Sequence, residues 1–150
     1  MEKILVGIYS RDTSFWAGVH ALNLAKRIGG KVFFLLIIGP GTGSKTDSAE
    51  TEAFLKEKIK SLVQEGRSQG IVVDCYLTYG NYETELVKFV QENKISLLVI
   101  EPSAEQVKVP ERFSSFLEKI RHRINCRIEV VHKKPDFLSS SGEKEKKKRR

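Results

Sequence analysis

Residues 32–38 read Val-Phe-Phe-Leu-Leu-Ile-Ile, a run of seven apolar side chains without a polar interruption. Gly29 and Gly30 precede this run and Gly39 and Pro40 follow it, so turn-forming residues bound it on both sides. A bounded apolar run of this length is typical of a strand buried on both faces, as in parallel sheets that are covered by helices. Seven residues also fall far short of the ~20 that a membrane-spanning helix requires. The run therefore predicts a central strand of an α/β sheet.

Comparable strand patterns occur before and after this run. We predict the other strands at residues 4–8, 71–79, 95–100 and 127–132. Segments with helical periodicity separate them, and in the first of these Ala17, Ala21, Leu24 and Ile28 fall on one face. Strands that alternate with helices are joined by right-handed crossovers into a parallel sheet. We therefore predict an α/β fold, a doubly wound five-stranded parallel sheet with helices on both faces.

Several residues predict where the helices begin and end. Gly29 and Gly30 are expected to end the first helix, and Asn81 is a good N-cap for a third helix that ends near Asn93. The stretch Ser115-Phe-Leu-Glu118 has the spacing of a capping box and predicts the start of the fourth helix. Residues 101–111, framed by two prolines, are then predicted to form a loop.

The charge of the chain is unevenly distributed. The formal net charge is +7, but residues 1–132 hold 18 Lys and Arg against 16 Asp and Glu. Residues 133–150 hold 8 Lys and Arg against 3 Asp and Glu, with low complexity and no apolar period. We therefore predict one α/β domain over 1–132 and a basic, flexible tail over 133–150. The tail is either a solvated terminus or a weak contact to anionic membrane or nucleic acid.

Cysteine usage and the first residues bear on the compartment. Cys75 and Cys126 are distant and occur in no CxxC pattern, so they predict no disulfide framework and fit a reducing compartment. The opening, MEKILVGIYSRD, carries an acid at Glu2 and only a short apolar run, which is unlike a secretory signal. We expect a soluble, cytoplasmic protein.

The ordered set of elements resembles the universal stress protein family over about residues 3–132. The resemblance rests on the opening strand 3–8, the alanine-rich first helix, the Leu77-Thr-Tyr-Gly80 junction, the fourth strand 97–100 and the closing strand 126–131. It implies the strand order 3-2-1-4-5. It also implies a non-enzymatic regulatory protein of the stress response that acts on a protein partner not identified by the sequence.

The family has nucleotide-binding and non-binding branches, and one segment separates them. The nucleotide-binding members carry a motif after the fourth strand: Gly-x-x-Gly, then nine residues, then Gly-Ser or Gly-Thr. Its glycines let backbone amides approach phosphates. The matching residues 101–115 contain no glycine, and Pro102 and Pro110 remove two amide donors. Glu101 and Glu105 would repel polyphosphate, and only Ser115 keeps the hydroxyl group of the pattern. We therefore expect no cofactor and no dependence on ATP.

The family's strand order places a pocket between strands one and four, because ligands of open α/β sheets bind where the strand order reverses. We predict that this pocket is ringed by Tyr9, Ser10, Ile37, Glu101, Ser103 and Ser115. Tyr9 stands where the binders usually carry an Asp, and Ile37 matches the apolar adenine-side position. The pocket would suit a neutral or cationic ligand, or be filled by Tyr9 itself.

A nucleotide-binding switch is the alternative hypothesis. Residues 39–46, Gly-Pro-Gly-Thr-Gly-Ser-Lys-Thr, follow a strand and precede a helix, as a phosphate loop does, but Ser44 stands where that motif needs glycine. ATP would then bind at this degenerate loop or at a residual family site.

The remaining candidates for chemistry are weak. His20, His122 and His132 have no metal-ligand spacing, so no metal site is predicted. No GxSxG pattern occurs and Cys75, which we predict to be a small core residue, has no base partner, so no catalytic residue is predicted. In the family the last strand commonly pairs with a second copy, and here Ile128 and Val130 are predicted to carry that homodimer contact.

Overall fold

The computed structural model describes residues 1–10, 15–39 and 45–132, in which strands and helices alternate. The strands are β1 (Lys3–Tyr9), β2 (Lys31–Ile38), β3 (Val72–Tyr79), β4 (Leu97–Ile100) and β5 (Arg127–Val130). The helices are α1 (Trp16–Ile28), α2 (Lys45–Ser68), α3 (Tyr82–Asn93), α4 (Ala104–Lys108) and α5 (Pro110–Arg121). The tail predicted at 133–150 lies outside the described residues and stays a prediction.

The strands form one parallel sheet in the order β3-β2-β1-β4-β5. Ile4 of β1 is in register with Val32 of β2 on one side and with Leu97 of β4 on the other. The prediction of a doubly wound five-stranded parallel sheet is confirmed. The reversal of strand order falls between β1 and β4, as the resemblance implied.

The sheet has a hydrophobic core on each face, because successive side chains of a strand point to opposite sides. On one face Val32, Phe34 and Leu36 of β2 pack with α1 and α2, where small residues such as Ala21 let α1 lie close. On the other face the alternate residues of β2 pack with α3 and α5. The run at 32–38 is uninterrupted because both of its faces are covered.

Two helix boundaries agree with the sequence. The backbone of Gly29 is left-handed, with φ of 74°, and its amide donates to the Ala25 carbonyl at 2.8 Å, which ends α1. The Asn81 side chain accepts a hydrogen bond from the Thr84 amide at 3.0 Å and caps α3. Both predictions are confirmed.

The segment after β4 differs from its prediction. The predicted loop 101–111 contains α4 and the first two residues of α5, and Pro110 is the first residue of α5 rather than a break before it. Proline is favoured at this position because its fixed φ suits a helix and its missing amide would have no partner there. Ser115 therefore lies inside α5, and its prediction as a helix cap was wrong.

No helix in the described part of the chain combines the length and the hydrophobicity that crossing a bilayer requires.

Candidate ligand cleft

A cleft opens at the carboxyl ends of β1 and β4, where the strand order reverses. Its volume is about 330 Å³. The end of β1, the starts of α1 and α3, residues from 101 to 106, and two side chains of α5 line it. Because β1 leads to β2 on one side and β4 lies on the other, the connections leave the sheet in opposite directions and expose this gap.

Glu101 places a carboxylate at the start of α1. Its Oε1 accepts a hydrogen bond from the Ala17 amide at 3.2 Å. The N-cap residue of α1, Phe15, makes no side-chain capping bond, and the first turn of α1 has no acid of its own. The unpaired amides and the dipole of a helix favour a negative charge at this end. In this protein that charge comes from Glu101, so the position where a ligand anion would be stabilised is already occupied.

Aromatic side chains form one wall of the cleft. The Tyr9 and Tyr82 ring centroids are 5.1 Å apart, and Tyr82 also stacks on Phe116 at 5.7 Å. The Tyr82 hydroxyl donates to the Gly7 carbonyl at 3.1 Å, which fixes this ring over β1. Tyr9 also lies against Gly39, where an added Cβ would come within 2.4 Å of the Tyr9 hydroxyl oxygen.

The segment that follows β4 uses its own polar groups to form helices. Ser103 and Gln106 make a reciprocal capping box, in which the Ser103 amide donates to Gln106 Oε1 at 2.9 Å and the Gln106 amide donates to Ser103 Oγ at 3.2 Å. The Val107 amide donates to the Ser103 carbonyl at 2.9 Å. These amides are therefore not directed at a ligand.

Three of the six predicted pocket residues line the cleft: Tyr9, Glu101 and Ser103. Ser10 instead joins the ends of β1 and β2, because its amide donates to the Ile37 carbonyl at 2.9 Å and its Oγ accepts from the Gly39 amide at 3.0 Å. Ile37 is fully buried in the core on the α3 and α5 face, and Ser115 is exposed on α5. None of these three residues lines the cleft that the described part of the chain forms.

Among the side chains of the cleft that the sequence did not point to are Tyr82, Glu83, Gln106, Arg112 and Phe116. The Ser-x-x-Gln spacing at 103–106 was a usable signal for Gln106. Tyr82 and Arg112 carried no such signal, because only the topology brings the starts of α3 and α5 to the end of β1.

The predicted phosphate loop lies mostly beyond the described residues, since 40–44 are not among them. At its first position, the Gly39 amide donates to Ser10 and its Cα faces Tyr9. The alternative of a phosphate loop at 39–46 therefore stays a prediction.

The histidines are dispersed. His20 pairs with the Glu129 carboxylate and so ties α1 to β5. His122 is exposed and lies 3.8 Å from Glu118. Within residues 1–10, 15–39 and 45–132, no group of three or more His, Cys, Asp and Glu is arranged to hold a metal ion.

Cys75 is not where the alternation of β3 predicted it. Cys75 is exposed, so its prediction as a core residue was wrong, because β3 is an edge strand that α2 covers only in part. Partial burial raises the pKa of the Cys75 thiol, and likewise that of Cys126. Both thiols are therefore protonated at neutral pH, unlike those of nucleophilic cysteines.

A family model and a related protein sequence both match this chain, and both belong to the same family. The model of the universal stress protein family matches residues 1–132. The chain is 23% identical over 143 residues to universal stress protein MJ0531 of Methanocaldococcus jannaschii, covering 88% of this chain and 82% of that protein.

Two solved structures are similar in fold. One is a universal stress protein in complex with cAMP, with a TM-score of 0.65 and 17% identity, covering 87% of this chain and 97% of that one. The other is the universal stress protein of Archaeoglobus fulgidus in complex with dAMP, with a TM-score of 0.60 and 18% identity, covering 87% and 98% of the two chains.

Proposed function

We infer the function of this chain from the premise that it belongs to the universal stress protein family. We propose that it is a non-enzymatic regulatory protein of the stress response, that it acts in the cytoplasm without ATP as a homodimer, and that it recognises a protein partner. The observation that carries this proposal is the hydrogen bond from the Ala17 amide to Glu101. A carboxylate at the start of α1 supplies the negative charge that a bound phosphate would otherwise bring.

The backbone of residues 101–115 supports the same proposal. The glycine-rich pattern that the family resemblance implies for binders would present free amides, whereas here α4 and α5 use the amides of this segment. The raised pKa of both thiols supports a role without a cysteine nucleophile.

Replacing Glu101 with alanine is expected to increase the affinity for Mg-ATP and for inorganic phosphate by about twofold to, at most, about thirtyfold. The change removes a negative charge and frees the Ala17 amide, and a charge at a helix start is worth about 0.3–1 kcal/mol, or up to ~2 kcal/mol when partly buried. NMR titration of the isotopically labelled full chain measures the effect, because the wild-type affinity is expected to be weaker than about 1 mM, where calorimetry gives no saturable heat.

Glu83→Ala is the matched control for this experiment. Glu83 also lines the cleft, but it pairs with Arg123 at 3.4 Å and makes no hydrogen bond or ion pair to the start of α1 among the described residues. We expect its removal to change phosphate affinity less than Glu101→Ala does. Equal gains in both variants would show that general charge, not the position at α1, governs anion binding.

Nucleotide binding is the second candidate function, because two similar solved structures hold cAMP and dAMP. The aromatic wall of the cleft offers a surface for a base, and Arg112 supplies a cationic side chain. Titration with adenosine, cAMP and ATP distinguishes the candidates. If the cleft recognises the adenine base, all three ligands are expected to bind with similar affinity. If it holds a working phosphate site, ATP is expected to bind tightest.

The dimer proposal rests on the backbone of β5. The Arg127 amide donates to the Ser96 carbonyl at 3.3 Å, and the Val131 amide to the Ile100 carbonyl at 2.8 Å. Because backbone groups alternate in direction along a strand, those of Ile128 and Val130 point to the open edge of the sheet. An antiparallel pairing centred on Ile128 would put Arg127 opposite Glu129 of the second copy, an attractive cross-strand pair.

The basic tail at 133–150 stays a separate proposal, a weak contact to anionic membrane or nucleic acid.

A further inference from the structure

The strand β3 forms the second edge of the sheet, opposite β5. All eight of its residues pair with β2, and no other described strand pairs with it. Much of β3 is exposed, including Val72, Tyr76 and Tyr79 at 49%, 44% and 63%. A long open edge of this kind is a template for pairing with another chain unless it is protected.

Hydrogen bonds show which backbone groups face this open edge. The Gly80 amide donates to the Ile38 carbonyl of β2 at 2.9 Å, and Arg67 Nη2 donates to the Val73 carbonyl from outside the sheet at 2.8 Å. Because direction alternates along a strand, the amides and carbonyls of Cys75 and Leu77 also point outward. No hydrogen bond from the described residues reaches them on that side. Arg67 thus protects the start of the edge and leaves its middle open.

A groove of about 650 Å³ runs along the open part, between β3 and α2. Four consecutive residues of β3, 74–77, line it, which places it along the edge of the strand because their side chains alternate between faces. Its apolar surface comes from the half-buried Leu77 of β3 and the edge of Val63 on α2, which is 9% exposed, with the buried Ile59 beneath them. The groove therefore offers apolar contacts directly beside unpaired backbone groups.

The rim of the groove is cationic. Lys56, Lys60 and Arg67 line it against a single carboxylate, Asp74. Lys56 pairs with Glu52 at 2.9 Å and Arg67 lies 4.0 Å from Asp74. Lys60 has no ion-pair partner in the part of the chain that the structure describes, so its charge is available to a ligand.

We propose that this groove binds an extended segment of a partner protein, which adds a strand to β3 at Cys75 and Leu77. The added strand directs alternate side chains into the groove, apolar ones onto Leu77 and Val63 and a carboxylate to Lys60. Strand addition takes its affinity from main-chain hydrogen bonds and its specificity from pockets for alternate side chains.

Charge complementarity favours an acidic partner segment over a second copy of this chain. Two β3 edges paired about a two-fold axis place both α2 helices on the same face of the joined sheet. The lysine-rich rims of the two copies then face each other, which is repulsive. The tail of the chain is also basic and does not complement the rim.

The probe for this proposal is a synthetic peptide, acetyl-Thr-Leu-Thr-Glu-Thr-Leu-Thr-amide, which presents Leu-Glu-Leu on one face when extended. Titration into the isotopically labelled full chain is expected to shift the amide resonances of Cys75 and Leu77 in a saturable manner. A matched peptide with Lys in place of Glu is expected to bind about threefold to tenfold more weakly, as for an ion pair at a partly exposed site.

Two sets of variants make the test specific. Lys60→Glu is expected to reverse the preference between the two peptides, whereas Lys88→Glu, at an exposed position on α3, leaves it unchanged. Two peptides, each N-methylated at alternate residues, test the backbone pairing. Methyl groups on the edge that faces β3 are expected to abolish binding, whereas methyl groups on the opposite edge are expected to be tolerated.

The proposal is overturned if neither peptide, at about 1 mM, shifts the amide resonances of Cys75 and Leu77. This concentration is about a thousandfold above a micromolar dissociation constant. Equal binding of the Glu and Lys peptides, or of both methylated peptides, also overturns it. If the same amides shift with protein concentration in the absence of peptide, the edge binds a second copy and the partner proposed here is wrong.

Discussion

Phe34→Ala is expected to lower the free energy of unfolding by about 3–5 kcal/mol, the range for a buried phenylalanine reduced to alanine. Phe34 is fully buried at the centre of β2, among the residues that pack α1 and α2 on the sheet. Its ring lies so close to α1 that a Cβ added at Gly18 would come within 3.1 Å of it. A loss of this size is a large part of the stability of a typical domain. Chemical denaturation monitored by circular dichroism measures it.

Phe54→Ala is the control for this variant. Phe54 lies on α2 with 48% of its surface exposed and the Lys58 ammonium 5.8 Å from its ring centroid. Its removal is expected to cost less than about 1 kcal/mol. Similar losses for Phe34→Ala and Phe54→Ala would contradict the placement of the core on the α1 and α2 face of β2.

Ile128→Lys is expected to convert the proposed homodimer into a monomer. Ile128 points its backbone to the open edge of β5, and two copies of the new lysine would face each other across a pairing centred on this residue. The particle mass measured by light scattering is expected to fall from twice the 17.0 kDa chain mass to the mass of one chain. Ile28→Lys, at an exposed position at the end of α1, is expected to leave the mass unchanged.

A second variant separates dimerisation from folding, because Ile128 also packs against the core of its own chain. Val130→Pro removes an outward amide but no hydrogen bond to β4, and proline is tolerated at such edge positions. We expect this variant to be monomeric and folded. A wild-type protein that is already monomeric, or a dimer that survives both changes, rules out pairing through β5.

The sheet and its strand order were predictable from the sequence, but the exposure of its β3 edge was not. The run at 32–38 and its counterpart at 4–8 are apolar throughout because helices cover both of their faces, so pattern and burial agree. The alternation of β3 also suggested a buried face, yet Cys75 is exposed. Alternation records which side of a strand faces a helix, but it does not record how far that helix extends over the edge.

Of the residues that line the cleft, only those at strand ends could be located from the sequence. Tyr9, Glu101 and Ser103 were placed by their position at strand ends, which the topology determines. Ser115 was expected in the cleft because it matches the hydroxyl group of the family pattern. Because α5 begins at Pro110, a position that favours proline, Ser115 instead lies inside this helix and is exposed. The hydrogen bond from Ala17 to Glu101 joins residues 84 positions apart, so no local pattern could reveal it.

Titration of the wild-type full chain with Mg-ATP, followed by calorimetry and completed by a crystal structure of the same mixture, tests the central claim most directly. The carboxylate of Glu101 at α1 and the helical backbone of 101–115 predict no saturable heat up to about 1 mM nucleotide, which corresponds to binding weaker than about 4 kcal/mol. Saturable binding at micromolar concentrations, with the phosphates of the nucleotide seated against residues 102–115, would contradict it.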